Sequence, residues 1–308
     1  MDWRIFKGSK THPNFNAMAC EWQWMWHQPQ LETSLWRPAP LACRLAAQKN
    51  RLIPVSRRSN VAFLVRMPRR LSVPLFLLVV AAAVSAGEMP QRLFEARTES
   101  AFQLAQIQFQ SQSNNPVAAW QFGRACFDLA DVSTNKSARA GIARKGMAAC
   151  RHSLALANSA AGHYYLAFNM GQLARTERIG ALKLVREMER ELKAAAELDR
   201  NFDFGGPERS LGLLYREAPD WPVSLGSRRK ARQFLESAVA LAPDYPENVL
   251  YAAESHLKWR EYPEAARELE ALDVLWPRAR TNLTGELWES SWNDWTNRRD
   301  GLRKRLNR

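Results

Sequence analysis

Histidine and cysteine are scarce in this chain, with 5 His and 4 Cys in 308 residues. Beyond residue 86 only His152, His163, His256, Cys126 and Cys150 remain. None stand as a pair at metal-ligand spacing, so no metal site is expected. A nucleophile elbow, a paired-histidine helix motif and a dinucleotide loop are all missing. The double glycine Gly205-Gly206 lacks the lysine and the strand-to-helix context of a phosphate loop. Carboxylates are plentiful, but none stands apart from charged helix faces. The three histidines fall in helical stretches and read as core or rim residues. The expectation is a protein without catalytic residues or cofactors.

A long hydrophobic run is missing too. The most apolar stretch, Leu71 to Val84, is about 14 residues, whereas a membrane-spanning helix needs about 20. Pro68-Arg69-Arg70 precedes it and Val84-Ser85-Ala86 closes it. A positive head, a short apolar middle and small residues at the end make a secretory signal peptide at 67–86, cleaved after Ala86. The chain is then periplasmic or secreted, with no stable membrane span. An uncleaved signal segment anchored in the inner membrane is the alternative. No cysteine follows the cleavage site, so a lipid anchor is not indicated. Residues 1–66 show no sustained helical or strand period, yet carry Trp3, Trp22, Trp24, Trp26 and Trp36. They read as a non-native or disordered extension, with Met67 as the start.

Acidic residues are in deficit, but unevenly. The net charge is +13, from 44 Lys+Arg and 31 Asp+Glu. Residues 1–86 hold 12 and 3 of these, or +9, which leaves 32 and 28, or +4, for 87–308. The folded part is close to balanced, with signs mixed along helices, so no nucleic-acid partner is expected.

What the sequence does contain is a period. Ala231, Leu235, Ala238 and Pro243 recur 34 positions later as Ala265, Leu269, Leu272 and Pro277. Spacings of 4 and 3 put the first three of each set on one helix face, with the proline beyond the helix end. Earlier helices carry a matching large, aliphatic, small, large pattern. It reads Ala119, Phe122, Gly123, Cys126; then His163, Leu166, Ala167, Met170; then Leu211, Gly212, Tyr215 with Glu208 off-pattern; then Val249, Ala252, Ala253, His256.

This pattern, over roughly Val117 to Pro277, resembles the tetratricopeptide repeat family. The resemblance implies an all-α fold: a right-handed superhelix, or α-solenoid, of antiparallel helix pairs. The domains expected are an N-terminal helix over 87–116, repeats over 117–277 and a C-terminal capping helix over 278–308. The capping stripe is Leu283, Leu287, Trp288, Trp292, Trp295, Leu302 and Leu306. In the N-terminal helix, Leu93, Phe94, Ala101, Leu104, Ala105 and Ile107 share one face. Cys126 faces about Ala143 in the first hairpin, which leaves Cys150 about 10 Å too far along for a disulfide. Two buried free thiols are the favoured reading.

In the repeat family, partners bind the concave face lined by first helices. Carried over, that groove is Trp120, Arg124, Phe127 and Asp128, then Tyr164, Phe168 and Gln172, then Arg209, Leu213 and Arg216, then Leu250, Glu254 and Lys258. Such a lining of aromatics and arginines suits a protein or peptide partner. The implied function is an exported scaffold for protein–protein interaction in the cell envelope, and homo-oligomerisation is left open. A narrower likeness runs through Gly205 to Gly212, Arg232 to Ala238 and Ala242 to Tyr245. It is similar to the tetratricopeptide-like T component of periplasmic TRAP transport systems. That alternative implies a small apolar ligand handled with a solute-binding protein. A third class, an enzyme within an α-solenoid, requires a polar cleft of converging, pKa-shifted groups.

Overall fold

A computed structural model describes residues 95–177, 180–220 and 222–307. The signal peptide expected at 67–86 and the extension expected before it lie outside the described residues. Ten helices make up the described fold, and no strand occurs among those residues. In chain order they are α1 (95–111), α2 (Pro116–Val132), α3 (Lys136–Leu156), α4 (Ala160–Ala174) and α5 (Ala181–Leu198). The others are α6 (Phe202–Glu217), α7 (Arg228–Leu241), α8 (Pro246–Lys258), α9 (Tyr262–Asn282) and α10 (Glu286–Leu306).

Local sequence sets the helix starts. Asn115 accepts hydrogen bonds from the Val117 and Ala118 amides, with Pro116 opening α2. Asn135 does the same for Ser137 and Ala138 at α3. Ser159 and Ser227 cap α4 and α7 through the amides of Gly162 and Lys230. Each cap satisfies amides that have no partner inside the helix.

Packing then follows the chain. α2 pairs with α3, α4 with α5, α6 with α7 and α8 with α9. Successive hairpins touch through α3 and α4, α5 and α6, and α7 and α8. The first helices also form a row of their own, α2 on α4, α4 on α6 and α6 on α8. The described chain is thus an all-α solenoid of antiparallel helix pairs. In the first hairpin, Gly123 lies against Gly146 and the Cys150 sulfur. Cys126 and Cys150 are free and fully buried.

The recurring positions are core. Ala231, Leu235, Ala238, Ala265, Leu269 and Leu272 are all buried. Pro243 lies beyond α7 as expected, but Pro277 sits inside α9, which runs on to Asn282. Beyond Pro277, Ala279 and Leu283 are buried in one cluster with Trp288, Trp292 and Trp295 of α10. That burial offsets the roughly 3 kcal/mol that an interior proline costs a helix. α10 packs on α8 and α9 and begins at Glu286, because α9 occupies 278–282, where the terminal helix is expected to start. The Trp292 indole of α10 donates to the Leu283 carbonyl at 2.6 Å, and Leu302 and Leu306 join the same cluster.

α1 turns inward a face that shares only Ala105 with the one expected among the described residues. Leu93 and Phe94 lie outside the described residues. Ala101, Leu104 and Ile107 are exposed, while Phe102 and Ala105 are buried. Phe102 and Phe109 bring their rings to 5.4 and 5.6 Å from Phe122. The larger aromatic area decides which face of the helix docks.

Candidate binding groove

Residues 201–207 set up the site. Asp203, Phe204 and Gly205 take left-handed backbone angles, with φ of 53°, 53° and 78°. Two non-glycine residues there cost about 1–2 kcal/mol each. Arg209 offsets that cost: it donates to the Asp203 carbonyl at 3.2 Å, the Phe204 carbonyl at 3.4 Å and the Asp203 carboxylate at 2.8 Å. The Tyr164 hydroxyl donates to the same carboxylate at 2.7 Å. Asn248 of α8 accepts from Arg209 at 2.9 Å and donates to the Phe204 carbonyl at 2.9 Å. Burial opposes the Arg209 charge, but Asp203 beside it raises its pKa above the ordinary value. The tie fixes where α6 begins and how it meets α8.

α10 then docks on α8 through one cation. Arg298 meets both Glu254 oxygens at 2.8 and 2.9 Å, Asp294 at 3.2 Å and Glu247 at 3.5 Å. Its guanidinium lies 4.3 Å from the Tyr251 ring centre. Arg298 is buried in this setting, and burial works against its charge, but Glu254 and its neighbours raise its pKa well above the ordinary value. Glu247 is 1 % exposed, and burial pushes its carboxyl from 4.5 up to about 7, with Arg209 and Arg298 opposing the rise.

Between α6, α8, the start of α9 and α10 lies an open groove of about 820 Å³. Arg216, Glu254 and Lys258, all expected in a groove, meet here. Glu217 holds Arg216 and takes Lys258 at 2.6 Å, and Arg216 donates to the Ser255 hydroxyl at 2.9 Å.

The other expected groove residues fall elsewhere. Trp120, Phe127, Tyr164, Phe168, Gln172, Arg209, Leu213 and Leu250 are buried, and Arg124 and Asp128 are half-buried. Trp120 stacks on Tyr165 at 5.7 Å, and Phe127 meets Phe168 at 5.1 Å. Gln172 donates to Asp131 at 3.0 Å, and Arg124 lies 3.8 Å from Asp128. The aromatic layer on these first helices is therefore core. The repeat pattern pointed past Arg298, Arg260 and Arg305. A signal existed for Arg298, which stands between Trp295 and Leu302 at spacings of 3 and 4. A charged residue on an apolar stripe marks a docking contact.

The histidines form local ties. His163 meets Glu191 at 2.6 Å and Asn158 at 2.7 Å, and His256 meets Glu261 at 2.7 Å. His152 meets the Ser113 carbonyl at 2.7 Å. No cluster of three or more potential metal ligands occurs among the described residues. No described helix is long and apolar enough to cross a membrane.

Among curated proteins, none matches this chain. A family model does match, from residue 89 to residue 204: it is similar there to Regulator of microtubule dynamics protein 1-3, over α1 to α5 and into the left-handed turn that opens α6.

Proposed function

We propose that the chain is a non-catalytic scaffold of tetratricopeptide type, exported to the cell envelope, that holds a protein or peptide partner. The open groove between α6, α8 and α10 carries this reading. Its walls are first helices plus the cap, Arg216, Lys258 and Arg298 are held there by internal pairs, and it has room for a ligand. The 34-residue recurrence of buried small and aliphatic positions supports the repeat type.

Two measurements test it. Expression from the natural upstream region, followed by N-terminal sequencing, is expected to give a product starting at Gly87. A start at Met1 sinks the envelope location. Immobilised chain is then expected to enrich one partner from envelope extracts, and to lose it when Lys258 and Arg216 become glutamate. No enrichment above an unrelated helical protein removes the scaffold reading.

The match over residues 89–204 carries a second reading, in which the chain acts on microtubule dynamics. Co-sedimentation with polymerised microtubules distinguishes the two. A chain that starts at Gly87 and stays in the supernatant leaves the envelope reading standing.

A further inference from the structure

The groove walls hold five cations, Arg216, Lys258, Arg260, Arg298 and Arg305, against two carboxylates, Glu217 and Glu254. Both carboxylates are already engaged, by Arg216 with Lys258 and by Arg298. Arg260 and Arg305 are exposed and make no ion pair among the described residues. Resting on the scaffold reading, we infer that the groove takes an acidic stretch of a protein chain, and that Arg260 and Arg305 meet its carboxylates.

The backbone at Arg260 supports this independently of charge. α8 ends with the Glu261 amide on the His256 carbonyl at 2.9 Å and the Arg260 amide on the Leu257 carbonyl at 3.1 Å. That closing motif needs a left-handed residue, normally glycine. Arginine stands there instead, at φ 63°. A side chain kept in a strained position points to a role outside the fold. Its planar fork matches a carboxylate. Tyr262 is 53 % exposed on the same wall, a flat amphipathic surface beside the charge.

The test is fluorescence anisotropy on the full chain with a labelled Glu/Asp-rich octapeptide and its Gln/Asn counterpart. The acidic peptide is expected to bind, and to weaken as salt rises. Arg260→Gly and Arg305→Gln are each expected to weaken it about fivefold or more, the loss of one charge-assisted contact. Arg260→Gly is also expected to raise Tm, since glycine relieves the left-handed strain. A purely structural Arg260 would lower Tm and leave binding unchanged. Equal binding of both peptides, unchanged binding in both variants, or binding confined to phosphatidylserine vesicles overturns the proposal. The envelope pulldown separates it from the reading beneath it. A partner captured equally by a chain carrying both Arg260→Gly and Arg305→Gln overturns the acidic-peptide proposal alone. No capture by the unsubstituted chain overturns both.

Discussion

Arg209 and Glu247 carry the sharpest consequences of burial in this chain. Arg209 and Asp203 are each 3 % exposed, and their pair holds the left-handed turn at the head of α6. Replacing Arg209 with Met strands a buried carboxylate and releases two strained residues. Loss of one partner of a buried pair costs about 3–5 kcal/mol. Urea unfolding of Arg209→Met is expected to show a fall of that size, and Asp203→Asn on top to recover part of it. Glu247 gives a pH signature instead. Its folded pKa of about 7 lies above the ordinary 4.5, so the folded chain holds a proton that the unfolded chain has released. Stability contributed by this group is therefore present at low pH, and is lost as pH rises from about 4.5 to about 7. Above that range the loss is complete and flat. Glu247→Gln is expected to remove this component, so that the stability difference between variant and parent grows in the variant's favour from pH 5 to pH 7. A difference that stays constant over that range shows that Glu247 is ionised throughout.

Helix pairs in this fold approach closely only where a small residue permits it, and α6 against α7 shows this best. A Cβ added at Gly212 would stand 2.7 Å from the Leu235 Cγ and 3.1 Å from its backbone nitrogen. The side chain can turn away, but the backbone cannot. Gly212→Ala is expected to lower stability by about 1–3 kcal/mol through overpacking. Gly141, in the middle of α3, meets nothing within 4 Å. There Gly141→Ala is expected to raise stability by about 0.5–1 kcal/mol, because alanine loses less freedom in a helix. Thermal melts of the two variants, moving in opposite directions, check both. Elements of this kind are legible in sequence. Small residues at hairpin seams, asparagine caps and the tryptophan stripe of α10 are local signals of this kind. Choices settled by distant partners are not legible. Proline stays helical at 277 only because α10 buries the turn after it. The docking face of α1 depends on where Phe122 stands. For the groove, the repeat pattern located Arg216, Glu254 and Lys258 on their helices. It could not see α10 cross α8, and that crossing supplies the far wall.

Across the whole molecule, the row of hairpins makes stability a sum of neighbour contacts. Each helix pair touches the next, and the core divides into clusters along the chain. One of them gathers Tyr245, Val249 and Leu250 of the eighth-helix region, Leu269 and Leu272 of α9, and Trp288, Trp292 and Trp295 of α10. Removing everything after Asn282 would expose the α8 and α9 members of that cluster to water. It would also leave Glu247 and Glu254 without Arg298. In an array, such damage spreads to neighbours and fades with distance. Hydrogen exchange on the truncated chain is expected to lose protection first in α8 and α9, and next in α6 and α7. α2 to α5, whose contacts lie in other hairpins, are expected to keep theirs. A uniform loss from α2 to α9 would mean instead that the ten helices fold as one cooperative unit, and that the cap holds up the first hairpin as firmly as the last.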